Sequence, residues 1–128
     1  MTIRLLFNVP AVLEALTGIA MLFAPAFVIG LLLGNGLSQS GTAVARVLGI
    51  GLLSLGVSAW ENAPQQVKPA TRIGICIYNI GAAVSLGMCG TIGEMSGVML
   101  WPAVGLHGLI GATMLWVILG PSRKSSVD

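Results

Sequence analysis

Pro10-Ala11-Val12-Leu13-Glu14-Ala15-Leu16-Thr17-Gly18-Ile19-Ala20-Met21 places one carboxylate in a segment otherwise suited only to a lipid bilayer. At ~1.5 Å per helical residue, counting in from Arg4 puts Glu14 roughly 15 Å deep, about half of a ~30 Å hydrocarbon core. An acidic side chain at a helix centre there costs at least ~2.5 kcal/mol unless it finds a partner or a proton, so an intramembrane carboxylate marks a candidate functional site.

The rest of the chain agrees with a membrane setting. Of 128 residues, 55% are hydrophobic and 8% charged, against about 25% charged in a soluble domain. That length divides into about four spans of ~20 residues and leaves little for a soluble head. Six cations scattered along the chain form no basic patch, which argues against nucleic acid as a partner. The N-terminal apolar run ending at Ala24-Pro25-Ala26 has the outline of a cleavable signal, but Glu14 inside it and Pro25 at the junction argue for a retained span.

Working outward, the first span covers about residues 2–23, with a kink expected at Pro10. Pro25 restarts a short apolar piece, Ala26 to Leu33, closed by Gly34-Asn35-Gly36; it is too short to cross and reads as interfacial or re-entrant. Further spans fall at about 41–60, 70–91 and 98–119, with a polar loop from Glu61 to Pro69, a turn around Glu94 and a polar tail from Pro121. The expected fold is therefore all-α: one domain, an integral membrane four-helix bundle with a short interfacial or re-entrant helix after the first span. Arg4, Lys68, Arg72, Arg123 and Lys124 lie at the N-terminus, the middle loop and the C-terminus, which places both termini in the cytoplasm. Gly41, Ala45 and Gly49 make a small-residue ridge, and Gly93/Gly97 and Gly108/Ala112 repeat the spacing, as helices that approach closely in lipid require.

Each span carries one strongly polar group at comparable depth: Glu14, Arg46, Asn79 and His107. Two readings stand side by side. The four build an intramembrane polar site with room for water or a small ligand, or they form a buried network that only fixes which helices pack together. In either, Glu14 and Arg46 are expected to be electrostatic partners, each making the other tolerable at depth. A single histidine cannot supply bis-histidine haem ligation. Cys76 and Cys89 lie roughly 20 Å apart along one helix, too far for a disulfide. Met88, Cys89, Met95 and Met99 are irregularly spaced and read as apolar filler, so no metal site is assigned. The absence of a nucleophile–base pair or phosphate loop counts against a conventional hydrolase or nucleotide-binding enzyme, and the catalytic residues, if any, are not named by these motifs.

The first-span Leu13-Glu14-Ala15-Leu16-Thr17-Gly18, the Pro25 hook after it and the second-span Ala45-Arg46-Val47-Leu48-Gly49-Ile50-Gly51-Leu52-Leu53 resemble the DoxX-like group of small four-helix bacterial membrane proteins. The resemblance implies a multi-pass protein of the bacterial cytoplasmic membrane, an accessory or ligand-binding subunit of a membrane redox system, with quinone as candidate cofactor or lipid as ligand. It leaves a homo-oligomer or a membrane redox partner open, and supplies no catalytic residues. A second class is also open: Glu14 is similar in placement to the first-span glutamate of the small multidrug transporters, which exchange protons for cationic drugs. Arg46 beside Glu14 would oppose that use.

Overall fold

A computed structural model of the chain describes residues 3–60, 68–93 and 95–120, with side chains from Phe7 onward in the first helix. The loop of residues 61–67, Glu94 and the tail of residues 121–128, read above as polar connections, lie outside the described residues. The described residues form five α-helices: α1 (Ile3–Phe23), α2 (Pro25–Leu33), α3 (Gln39–Ala59), α4 (Pro69–Thr91) and α5 (Leu100–Leu119). Their starts follow local chemistry. Pro25 and Pro69 occupy the first position of α2 and α4, where a missing N–H costs nothing. Ser38 caps α3 by accepting the Gly41 N–H at 3.0 Å. Gly34 ends α2 in the left-handed conformation at φ 76°, its N–H returning to the Gly30 carbonyl.

Helices α3, α4 and α5 are long and apolar enough to cross a membrane, and α1 with α2 forms a pair bent by 115° at Ala24. The outer surface is apolar on every helix, with Phe23, Phe27, Val57, Ile77, Leu109 and Trp116 all well exposed. Soluble monomers rarely carry such continuous apolar surface, and this is the profile of a helical membrane protein. Pro102 lies in the first turn of α5 and interrupts nothing, because that turn has free N–H positions in any case. Pro10 sits inside α1, which runs past it as one helix.

The bundle is built from two helix pairs. Helix α1 packs along α3 on a seam of small residues: a Cβ on Gly56 would stand 2.6 Å from the Ala11 carbonyl oxygen, one on Gly18 2.6 Å from the Leu53 nitrogen, and one on Gly49 2.8 Å from the Gly18 oxygen. The buried face of α3 is Ala45, Gly49, Leu52, Gly56 and Ala59. The ridge thus continues from Ala45 and Gly49 to Gly56 and Ala59, whereas Gly41 faces the side chains of its own cap, Leu37 and Ser38. The second pair, α4 and α5, closes at Gly111, where a Cβ would lie 2.8 Å from Ile80. This contact takes over from the Gly108/Ala112 ridge read in the sequence, since Ala112 is exposed and Gly108 has only Ala83 nearby.

The two pairs join at one end and part at the other. Phe7, Ala11, Ala59, Ile75, Cys76 and Met114 form the buried core at the end holding the α1 N-terminus and the α5 C-terminus. There the Arg72 guanidinium also lies 5.3 Å from the centre of the Phe7 ring. At the opposite end the pairs diverge and α2 bridges them. Its last turn is pinned to the segment before α5 by two main-chain hydrogen bonds, Ser96 N–H to Leu33 O and Met99 N–H to Leu31 O, at 3.3 and 2.9 Å. A Cβ on Gly97 would overlap the Leu31 and Leu32 carbonyls. Gly97→Ala should therefore lift α2 off this seat. Faster hydrogen exchange at the Ser96 and Met99 amides is the expected result, with Gly36→Ala, whose Cβ meets nothing within 4 Å, as the unaffected control. Unchanged exchange in Gly97→Ala would contradict this account of the seat.

Candidate functional site

Glu14, Asn79 and His107 meet where the closed half of the bundle gives way to the open half. Glu14 is 2% exposed and Asn79 fully buried. Each arrives by helix register. Asn79 lies on the face of α4 that also buries Ile75 and Cys76, and His107 is one turn before Gly111, where α5 packs tightly on α4. The Asn79 amide joins the other two. Its Nδ2 donates to Glu14 Oε1 at 3.2 Å and to the Ile75 carbonyl at 3.0 Å, and its Oδ1 is 2.8 Å from His107 Nδ1.

The orientation of that amide follows from chemistry. The Ile75 carbonyl can only accept, so the amide atom beside it must be the nitrogen. The oxygen then faces His107, and Nδ1 must carry a hydrogen to donate to it. One buried side chain thus links three helices, holds the carboxylate and sets which imidazole nitrogen is protonated. Arg46 is not part of the arrangement. It is exposed on α3, about 100° round the helix from Ala45, and no hydrogen bond or ion pair joins it to Glu14. The expected Glu14–Arg46 pair is replaced by Glu14–Asn79, because equal depth along two helices does not imply that both side chains face inward.

Tyr78 is the residue that sequence reasoning left out. It is the only tyrosine in the chain, and its ring meets His107 edge-on, with centroids 5.7 Å apart and planes at 85°. Its phenol also stands close to Glu14. Its position beside Asn79 in a buried stretch was the available signal.

In front of this group the diverging pairs enclose a cleft of about 720 Å³, within the ~300–1,000 Å³ range of small-molecule sites. Leu13, Thr17 and Met21 of α1, α2 from Val28 onward, Leu48 and Leu52 of α3, the face of α4 between Ile77 and Leu86, and Met99 with the first turns of α5 as far as His107 contribute to its wall. Almost all of that surface is apolar. Tyr78 and His107 provide its principal polar patch, with Thr17 and Ser85 as lesser hydroxyls, while Glu14 stands behind and takes no part in the lining.

No family model, curated protein or solved structure matches this chain.

The chemistry of the site is read from its own groups. Among the described residues no three of His, Cys, Asp and Glu converge. Cys76 is a buried free thiol whose sulfur lies 3.8 Å from the Gly111 carbonyl, and Cys89 is free on the same helix. The arrangement suits recognition of a largely apolar molecule with one polar end: a long greasy slot, an imidazole edge and a phenol at its base, and an amide–carboxylate pair behind them that fixes the imidazole.

Proposed function

We propose that this chain is an integral membrane four-helix protein that binds a lipophilic ligand, of the quinone or lipid class, in the cleft between its two helix pairs. In this reading α1, α3, α4 and α5 are the spans and α2 is an interfacial or re-entrant helix roofing the cleft. The supporting observation is the pairing of an apolar slot of about 720 Å³ with a polar base at Tyr78 and His107. A network that served packing alone would need no such space in front of it. The proposal extends to an accessory or ligand-binding subunit of a membrane redox system in the bacterial cytoplasmic membrane, of the DoxX-like kind.

The proton-coupled transporter alternative changes footing. Arg46 no longer opposes it, since that residue lies away from Glu14. What weighs against it is that Glu14 is 2% exposed and bonded to Asn79 rather than lining the cleft. A cationic substrate would have no direct access to the carboxylate.

The ligand reading is tested on protein purified into lipid nanodiscs. Added decyl-benzoquinol, kept reduced, or lysophospholipid should raise the thermal midpoint of the native chain. Gly81→Leu, at a cleft-lining position where an added Cβ meets nothing within 4 Å, should fold normally and lose most of that shift. Absence of any shift in the native chain, or an equal shift in Gly81→Leu, would count against the cleft as the site. Orientation has its own test. With both termini and the residues 61–67 in the cytoplasm, a phosphatase fused after Asp128 should be inactive and one inserted near Ser40 active. The reverse pattern would invert the topology.

A further inference from the structure

We infer that the cleft selects ligands whose polar end is a hydroxyl, a hydrogen-bond donor, over ligands of the same size that can only accept. The inference rests on the ligand-binding reading above and deepens it by naming the head group. It begins at Asn79. Because the Ile75 carbonyl can only accept, Asn79 Nδ2 is committed to Ile75 and Glu14, at 3.0 and 3.2 Å, and Oδ1 to His107 Nδ1 at 2.8 Å. The imidazole therefore carries its hydrogen on Nδ1, pointing into the bundle. In the uncharged ring the other nitrogen, Nε2, holds a lone pair and no hydrogen.

His107 lines the cleft and its Nε2 has no hydrogen bond to any described residue. No carboxylate touches the ring among those residues, and a charge unpaired among apolar side chains is disfavoured. The ring presents an acceptor to the cleft. A phenolic or alcoholic hydroxyl satisfies it, whereas a ketone, ester carbonyl or ether oxygen would set two acceptors against each other; within the quinone class the reduced quinol, with its phenolic hydroxyls, is therefore the favoured form over the quinone itself. Tyr78 packs edge-on against the same ring, and its phenol is taken up by the Glu14 carboxylate behind it, so it is not free to serve a ligand that can only accept. Glu14 acts at a distance, by holding the amide that holds the ring, and is a positioning residue.

The chain contains a single histidine, so its ring nitrogens can be observed without assignment ambiguity. Protein labelled with ¹⁵N-histidine and purified without a histidine tag is placed in nanodiscs and titrated with 4-dodecylphenol, its methyl ether 4-dodecylanisole, and 4′-dodecylacetophenone. Before ligand is added, one ring nitrogen should show the signature of N–H and the other that of a bare nitrogen, with Nδ1 the protonated one. The phenol should shift the bare Nε2 signal and bind about tenfold tighter than the ether or ketone, the size of one net hydrogen bond. In Asn79→Leu the amide that dictates the tautomer is gone, and the phenol preference should fall toward parity. Should that variant not fold, the native spectra alone decide. Equal binding of phenol and ether, a ketone preference, or a protonated Nε2 would overturn the inference while leaving ligand binding intact. Failure of all three probes to bind would remove the ligand reading itself, and the inference with it.

Discussion

Asn79→Leu is expected to lower stability by about 3 kcal/mol or more, the largest loss from any single polar substitution among the described residues. A typical interhelical polar contact in a membrane contributes only ~0.6 kcal/mol, and on that figure the variant would be mild. The magnitude comes from what is stranded. Asn79 is fully buried and Glu14 is 2% exposed, so deleting the amide strands the imidazole N–H and leaves the buried carboxylate with the Tyr78 phenol alone. Each unsatisfied buried group costs ~1–3 kcal/mol, and an uncompensated buried charge ~3–5 kcal/mol. Replacing Glu14 by leucine in the same chain removes the stranded charge and should restore much of the loss. Thermal midpoints in detergent for Asn79→Leu, Glu14→Leu and the double variant measure the coupling. Simple additivity would show that the amide and the carboxylate do not depend on each other. Arg46→Leu serves as the control. Its side chain is exposed and away from Glu14, so the substitution should leave the midpoint nearly unchanged.

The second large effect is expected along the α1–α3 seam. Gly56→Val should separate the two helices, because even the first carbon of the new side chain would lie 2.6 Å from the Ala11 carbonyl oxygen and 2.7 Å from the Ala15 nitrogen. Both obstacles are backbone and cannot swing aside. Overpacking of this kind costs ~1–3 kcal/mol when side chains can adjust, and the upper end or beyond is expected where they cannot. Association of helices in lipid depends on close packing, with no hydrophobic driving force to compensate a lost contact. Gly51→Val, on the exposed side of α3 with open space around its Cβ, should be tolerated. Helix separation can be read from spin-label distances between α1 and α3 and from the thermal midpoint. Equal behaviour of the Gly56 and Gly51 variants would refute the seam.

What could be read from the residues alone followed from properties that act along one dimension. Long apolar stretches with few charges specify where membrane-length helices lie, and α3, α4 and α5 fall within two residues of the expected limits at each end. Pro25 and Gly34 delimit α2, because a proline at the first helical position and a glycine in the left-handed region are local requirements. Glu14, Asn79 and His107 stood out because polar groups are costly in apolar helices, and their similar depths made a meeting possible. Depth, however, counts only the rise along each helix. Whether a side chain faces its neighbours or the outside depends on rotation about the helix axis, which is decided by how whole faces pack. On α3 the glycine and alanine seam from Ala45 to Ala59 took the inward face, and Arg46, one residue on, was turned outward. On α4 the buried face of Ile75, Cys76 and Asn79 brought the amide between Glu14 and His107 and carried Tyr78 to the edge of the cleft. The cleft itself belongs to no single segment. It exists because two tightly packed pairs touch at one end and diverge at the other, and that spacing is a property of the assembled bundle rather than of any stretch of sequence.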